Sequence, residues 1–296
     1  MRASVVVPTL NEERNLEACL SSVAGWAAEI VVIDSGSSDG TLAIAARYGA
    51  RVVSHPFETH SRQWAWALAE VPLASDWVLG LDADQRVTPE LRSTIDAFLA
   101  APGDAAGAFV RRRQVFRGQW IRHGGYYPKY LLKLFRKDAV RIDVAELVDH
   151  HFPVAGPTVR LEADLVEENR NEDDIDVWLA KHVRYASLQA LEDASRGEAA
   201  TAGGRFFGSP DERTRLFKGV WRRLPLFVRP VLYFLYRYVL RLGFLDGRQG
   251  FVFHFLQGFW YRVLVDVKLD DQRRRGGTAL APADARRAEE TTAVNG

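Results

Sequence analysis

The sequence holds one cysteine, Cys19, among 296 residues, which rules out an intramolecular disulfide and suits a reducing compartment. It has almost no net charge: 39 Lys and Arg stand against 38 Asp and Glu, so no global basic field calls for a nucleic-acid partner. A signal-peptide core is absent. Arg2 leads straight into Ala3-Ser4-Val5-Val6-Val7-Pro8, and polar Asn11-Glu12-Glu13-Arg14 follow, so the expected place of work is the cytoplasm. An uninterrupted apolar run of membrane-spanning length is missing too. The two most apolar stretches, 224–242 and 250–267, are broken by Arg229, Arg237 and Arg241 in the first and by His254, Gln257, Arg262 and Asp266 in the second. Each central arginine would cost roughly 2.5–3.5 kcal/mol in a bilayer.

What is present reads as strands alternating with helices. Ser4-Val5-Val6-Val7 is β-branched and bounded by Pro8, and a helix with apolar spacing Leu16, Cys19, Leu20, Val23 follows it. Ile30-Val31-Val32-Ile33-Asp34 is a second strand. It runs into the small-residue turn Ser35-Gly36-Ser37-Ser38-Asp39-Gly40-Thr41 and then a helix to Tyr48. Arg51-Val52-Val53-Ser54 is a third strand, and residues 61–70 read as a helix. Asp76-Trp77-Val78-Leu79-Gly80-Leu81 then ends in Asp82-Ala83-Asp84. This rhythm predicts an α/β fold with a mostly parallel, doubly wound sheet. In such a sheet the ends of strands two and four share an edge, so Asp34, Asp39, Asp82 and Asp84 are expected to line one crevice. Two carboxylates spaced i, i+2 there can hold a hard divalent cation that grips a diphosphate.

Three motifs in this order, Val5-Val6-Val7-Pro8-Thr9-Leu10-Asn11-Glu12, Val31-Val32-Ile33-Asp34-Ser35-Gly36-Ser37-Ser38-Asp39-Gly40-Thr41 and Leu81-Asp82-Ala83-Asp84, resemble family 2 glycosyltransferases of the GT-A fold. The resemblance covers about residues 1–165 and is nearest to bacterial envelope enzymes akin to lipopolysaccharide core β-1,4-glucosyltransferases. It implies that Pro8, Thr9 and Glu12 border a nucleotide diphosphate sugar. It also implies that Asp34, Ser35, Gly36 and Asp39 meet its base or ribose. Asp82 and Ala83 would face sugar or ribose, and Asp84 would bind Mg²⁺ or Mn²⁺. In that group a Gln-Arg-Asn-Phe-Ala-Leu-like segment precedes the D-x-D strand. Here Gln63-Trp64-Ala65-Trp66-Ala67-Leu68 occupies it, with Arg62 as the stand-in for the missing arginine.

On the acceptor side, Trp120 and Tyr126 are expected to stack on sugar or to pack. The segment Val144-Ala145-Glu146-Leu147-Val148-Asp149-His150-His151 is expected to supply the base that takes a proton from an acceptor hydroxyl, Asp149 first and Glu146 second, with His150 as a further metal ligand. Residues 159–161 read as an edge strand, residues 167–174 as a solvated acidic run, and a helix begins near Ile175.

Residues 216–269 change texture, with nine Lys and Arg against two Asp and no Glu, and 14 of the 33 aromatics. On a helical wheel Arg229, Arg237 and Arg241 span an arc of about 120°, opposite Phe227, Val231, Leu232, Leu235, Val239 and Leu242. The expectation is an amphipathic pair lying in a membrane interface. Three regions follow: a GT-A domain over 1–208 (nucleotide-sugar half about 1–100, acceptor half about 101–208), aromatic and basic helices over 209–272, and a disordered tail over 273–296. The expected enzyme sits peripherally on the inner face of the cell membrane. It moves a hexose to a hydroxyl of a lipid-linked or lipopolysaccharide-type glycan. The alternatives are a polyprenyl-phosphate monosaccharide synthase or an inactive membrane scaffold. A sugar nucleotidyltransferase is disfavoured, since residues 8–14 lack a glycine-rich basic loop.

Overall fold

The computed structural model describes residues 2–144, 152–195 and 224–274. They divide into two compact units, one of residues 1–179 with 237–253, the other of 180–236 with 254–296.

The first unit is built on a nine-stranded sheet of order β3-β2-β1-β4-β8-β6-β9-β5, with β7 paired to β6. Its parallel half comprises β1 (Ser4–Thr9), β2 (Glu29–Asp34), β3 (Arg51–Ser54) and β4 (Trp77–Gly80). The strands are short apolar runs because both faces are covered. Val5, Val7, Val32 and Leu79 face helices α1 (Leu16–Ser21), α2 (Thr41–Arg47) and α4 (Pro89–Ala100). Val6, Val31, Ile33 and Val78 face α3 (His60–Glu70) through Trp64, Ala67 and Leu68. Helices on both faces make this half doubly wound, as its β-α alternation predicts.

The other half is mixed. β8 (Lys129–Arg136) runs antiparallel to β4, and β6 (Gly107–Phe116) antiparallel to β8. β9 (Thr158–Glu168) lies parallel to β6, and β5 (Gln85–Val87) antiparallel to β9. β7 (Gln119–Ile121) closes a hairpin with β6. One expectation is extended here and another corrected. Among the described residues, 159–161 pair with β6 alone, as an edge segment does, but they belong to an eleven-residue strand whose residues 165–167 are flanked by β5 as well. The acidic run is not simply solvated, because Glu167 and Glu168 are the last residues of that strand and pair with Arg112 and Arg86 at 3.0 and 2.6 Å. Charged residues on β9 read as solvent-facing only while their cationic partners on β6 and β5 are out of view.

In the second unit, α6 (Val228–Leu235) and α8 (Tyr261–Arg274) join the latter part of α5 (Ile175–Ser195). Ala186 and Ala190 pack on Tyr261, Val265 and Leu269. Arg229, 3% exposed, bonds to Asp266 through Nε at 2.7 Å and through its terminal nitrogen, while the Phe227 N–H donates to the same carboxylate at 2.8 Å. The first unit takes Arg237 and Arg241, the 3₁₀ turn Gly243–Asp246 and α7 (Gly247–Phe253). Of the expected basic face, Arg229 and Arg237 are engaged by protein groups, while Arg241 stays exposed. Arg229 neutralises a buried carboxylate, Arg237 donates to the Gly124 carbonyl at 2.6 Å, and the Arg241 carbonyl accepts the Gly124 N–H at 2.9 Å. The outward residues are apolar: Val231, Leu232, Leu235, Val239, Leu240 (73%), Leu242, Phe244 and Leu245 (55%) are all exposed. No helix among the described residues is long and apolar enough to cross a membrane.

Candidate active site

Parallel register brings the ends of β1 and β2 level, Thr9 opposite Asp34. Antiparallel β8 then begins on the side where β4 and β6 end, with Lys129 opposite Arg112. Every loop discussed next leaves that edge of the sheet.

Asp34 is buried and saturated by its own turn. Its Oδ2 accepts the N–H groups of Gly36 and Ser37 at 2.9 Å, and its Oδ1 accepts the hydroxyls of Ser37 (2.5 Å) and Thr9 (3.1 Å). Gly36 has φ +98°, a conformation that a residue with Cβ rarely adopts, and this lets two successive N–H groups face one carboxylate. The Ser35 hydroxyl accepts from Gln63 Nε2 at 3.1 Å, and Gln63 Oε1 meets His55 Nδ1 at 2.7 Å, so buried Gln63 ties α3 to the β2 turn. Arg62 lies on the exposed side of α3, paired with Glu58 at 2.6 Å.

Asp39 caps α2 through the Thr41 hydroxyl (2.5 Å) and N–H (3.0 Å) and accepts the Glu13 N–H at 3.1 Å. Burial pushes its carboxyl up, but these bonds outweigh that and hold it below the usual carboxylate range. The Glu12 N–H donates to Thr41 Oγ1 (2.8 Å), and its carboxylate accepts from Asn15 (2.7 Å) and Asn171 (3.1 Å). Asn11, at φ 55°, ties the same turn to the Ser38 N–H at 2.9 Å.

The D-x-D turn connects β4 to β5. Asp82 Oδ2 accepts Lys133 Nζ at 2.8 Å and Gln85 Nε2 at 2.7 Å, and Gln85 Nε2 also reaches Glu167 Oε2 at 2.8 Å. Buried Ala83 points into the core, while Asp84 is partly exposed and its carbonyl takes the Glu168 N–H at 3.0 Å. Cys19 lies below this turn. Burial, then Asp84, Asp82 and Glu12, push its thiol far up, against the opposing pull of Lys133. Among the described residues no three His, Cys, Asp or Glu converge as a ready metal cage. A cation here would suit Asp84 with water and diphosphate oxygens, a donor set that Mg²⁺ accepts.

On the acceptor side, Trp120 carries Arg113 (4.8 Å) and Arg122 (4.7 Å) over its ring and meets Tyr127 edge-on. Tyr126 lies beneath Arg237 at 4.1 Å and against Phe253. Both rings are flanked by arginines and other rings, and both remain half-buried. Pro8, Thr9, Glu12, Asp34, Ser35, Gly36, Asp39, Gln63, Asp82 and Asp84 all gather at the sheet edge. Glu146, Asp149, His150 and His151 lie outside the described residues. Sequence reasoning overlooked Lys133, Gln85, Asn15 and Asn171. Lys133 had a signal, a lone cation inside the apolar strand Leu131-Leu132-Lys133-Leu134-Phe135, where a buried charge requires a carboxylate partner.

A doubly wound half-sheet, a mixed extension and an acid-bearing turn at their junction make up the expected GT-A architecture. The model of the family described as glycosyl transferase family 2 matches residues 4–154, and the chain belongs to that family. It is similar to the lipopolysaccharide core biosynthesis glycosyltransferase LpsC of Rhizobium meliloti (strain 1021), 28% identical over 231 residues, 74% of this chain and 82% of that one. An uncharacterized glycosyltransferase of Rickettsia bellii (strain RML369-C) is 35% identical over 100 residues, about a third of either chain (34% and 33%). Among solved structures, glucosyl-3-phosphoglycerate synthase of Mycobacterium tuberculosis with Mn²⁺, UDP and glucosyl-3-phosphoglycerate aligns at TM-score 0.41 and 19% identity over 64% of this chain and 78% of that one. S. aureus TarS 1-349 aligns at TM-score 0.42 and 15% identity over 93% and 92%.

Proposed function

We propose that this glycosyltransferase moves a hexose, with inversion, from a nucleotide diphosphate sugar to a hydroxyl of a lipid-linked or lipopolysaccharide-type glycan. The observation that carries the reading is the Asp82–Asp84 turn meeting the Thr9–Asp34 pair and Glu12 at one sheet edge. The similarity to LpsC supports the class of acceptor. Lys133 holds Asp82 in place, leaving Asp84 the role of ligand to Mg²⁺ or Mn²⁺. The ion would neutralise charge on the departing diphosphate. Titration calorimetry with UDP and GDP, with and without Mn²⁺, followed by a hydrolysis screen over UDP- and GDP-hexoses, tests this. Asp84→Ala should abolish the Mn²⁺-dependent part of binding and lower turnover roughly a hundredfold or more, given the several kcal/mol such an ion supplies. Mn²⁺-dependent binding that survives Asp84→Ala would defeat the metal role, and failure to bind or turn over any donor would leave the inactive scaffold. Transfer to a polyprenyl phosphate in preference to a glycan hydroxyl would favour the monosaccharide synthase.

The second part of the reading is peripheral attachment to the inner face of the cell membrane through the exposed apolar residues of 227–251. Large apolar side chains turned to solvent, such as Val239, Leu240, Leu242, Phe244 and Leu245 of the first unit, are a costly surface to present to water. Deleting the C-terminal segment is a poor test, because Arg237, Arg241 and Asp246 also hold residues 119–124. Leu240→Glu with Leu245→Glu keeps those contacts. The double variant should stop floating with phosphatidylglycerol vesicles while melting as the parent does. Equal flotation of the two proteins would remove the membrane part of the reading.

A further inference from the structure

The chain leaves β9 at Asn169 and makes the 3₁₀ turn Arg170–Asp173, and this short stretch is bonded back to the loop between β1 and α1. Asn15, 2% exposed, uses its whole amide there. Its Nδ2 donates to Glu12 Oε2 at 2.7 Å and to Asn169 Oδ1 at 3.0 Å, and its Oδ1 accepts the Arg170 N–H at 2.8 Å. Asn171 Nδ2 donates to the same Glu12 Oε2 at 3.1 Å and to the Asn11 carbonyl at 3.3 Å. Asn169 Oδ1 also accepts the Asn171 N–H at 3.0 Å, which fixes the backbone that carries Asn171. The near end of the same stretch meets the D-x-D turn. The Glu168 N–H donates to the Asp84 carbonyl at 3.0 Å, and Glu167 Oε2 accepts from Gln85 Nε2, which also holds Asp82. The segment Glu167–Asn171 therefore touches both the Glu12 loop and the Asp82–Asp84 turn.

A glutamate side chain is rich in rotamers, and holding one of them costs entropy. Two amides from different parts of the chain converge on Oε2 and fix the direction of the Glu12 carboxylate. Both donors are neutral, so they orient it without cancelling its charge, unlike the Lys133 ammonium on Asp82. Direction matters beside a nucleotide diphosphate. Ribose hydroxyls and a base N–H would donate to a carboxylate, whereas the diphosphate would repel it. We propose that Asn171 is a positioning residue for the donor nucleotide, acting through Glu12. Asn15 shares that task from the buried side. The inference rests on the transferase reading above. It puts a determinant of donor affinity at the exit of β9, in the half of the domain expected to serve the acceptor.

The test uses the full chain and titration calorimetry with UDP and GDP, with Mn²⁺ present. Asn171→Ala should weaken binding of the nucleotide that the parent prefers about tenfold, the worth of one well-placed hydrogen bond. In the hexose hydrolysis screen the same loss should fall on KM more than on kcat. Asn171→Asp keeps the shape and sets a second carboxylate against Oε2, so it should bind more weakly than Asn171→Ala. The decisive readout is a double-mutant cycle. In a Glu12→Ala background, Asn171→Ala should change nucleotide affinity by less than about twofold, because the carboxylate it orients is gone. A mere loop anchor would lower the melting temperature and leave these affinities in place. Asn171→Ala within about twofold of the parent, losses that add in the cycle, or Asn171→Asp binding as well as Asn171→Ala would each overturn the assignment. A parent that binds neither nucleotide would instead sink the transferase reading, and the inference with it.

Discussion

The two sides of the site are held in opposite ways. On the donor side Asp34 bonds to residues two and three positions on, and Asp39 to a residue two positions on, with Thr9 and Glu13 from the neighbouring β1 loop completing them. On the acceptor side residues 119–124 are fixed by Asp246, Arg237 and Arg241, which lie more than 110 positions away. The first loop is largely self-supporting, and the second keeps its form only while a C-terminal segment is docked. A loop of the first kind is written locally as turn chemistry. A loop of the second kind depends on the whole chain having folded.

Removing the central carboxylate from each side sharpens that contrast. Asp34→Ala strips a buried acceptor from two N–H groups and two hydroxyls, and should cost about 3 kcal/mol. For a unit of this size that lowers the melting temperature by roughly 6–12 °C, readable by calorimetry. Asp246→Ala should cost less, about 2 kcal/mol, because some freed N–H groups reach water. Its signature would be local, with faster tryptic cleavage after Arg122 at temperatures where the rest of the protein resists. If Asp34→Ala loosened only its own turn while Asp246→Ala lowered the melting point more, the contrast would be reversed.

The smallest expected effect is at Asp39. Its carboxyl is held below the usual range in the folded protein, so its stabilisation is present above the unfolded value near 3.8 and fades as pH falls through the lower folded value. Asp39→Asn should therefore be less stable than the parent by about 1 kcal/mol at neutral pH, with the gap narrowing below pH 4. Chemical denaturation of both proteins at pH 7 and pH 3.5 checks the sign. A gap that widened in acid would place the stabilising charge elsewhere.

Most of the parallel half was legible because its signals are short-range. Apolar runs of strand length alternating with helical spacing specify β1 to β4 and α1 to α4, and the acids at the strand ends follow from the rule that parallel strands finish on one side. Lys133, Gln85 and Asn171 were harder to see, since their partners Asp82, Glu167 and Glu12 are 51 to 159 positions distant. The acidic end of β9 was read as solvated because its charges are satisfied by Arg112 and Arg86, which the sequence places 55 and 82 positions away. The C-terminal stripe was read on one α-helical wheel, whereas Arg229 and Arg237 meet protein groups and residues 236–240 form a π-helical turn. A helical wheel says which residues share a face, but not which face meets protein.

By itself, then, the sequence determined the β-α alternation, the donor-side turns and the position of Asp82-Ala83-Asp84, since each rests on propensity and contacts within a few residues. Only the tertiary structure decided that Lys133 neutralises Asp82, that Trp120 and Tyr126 are flanked by arginines, and that Asp246 anchors His123. Those outcomes depend on burying charges beside partners from distant strands. A buried charge is stable only where such a partner arrives, and chain order does not say which one will.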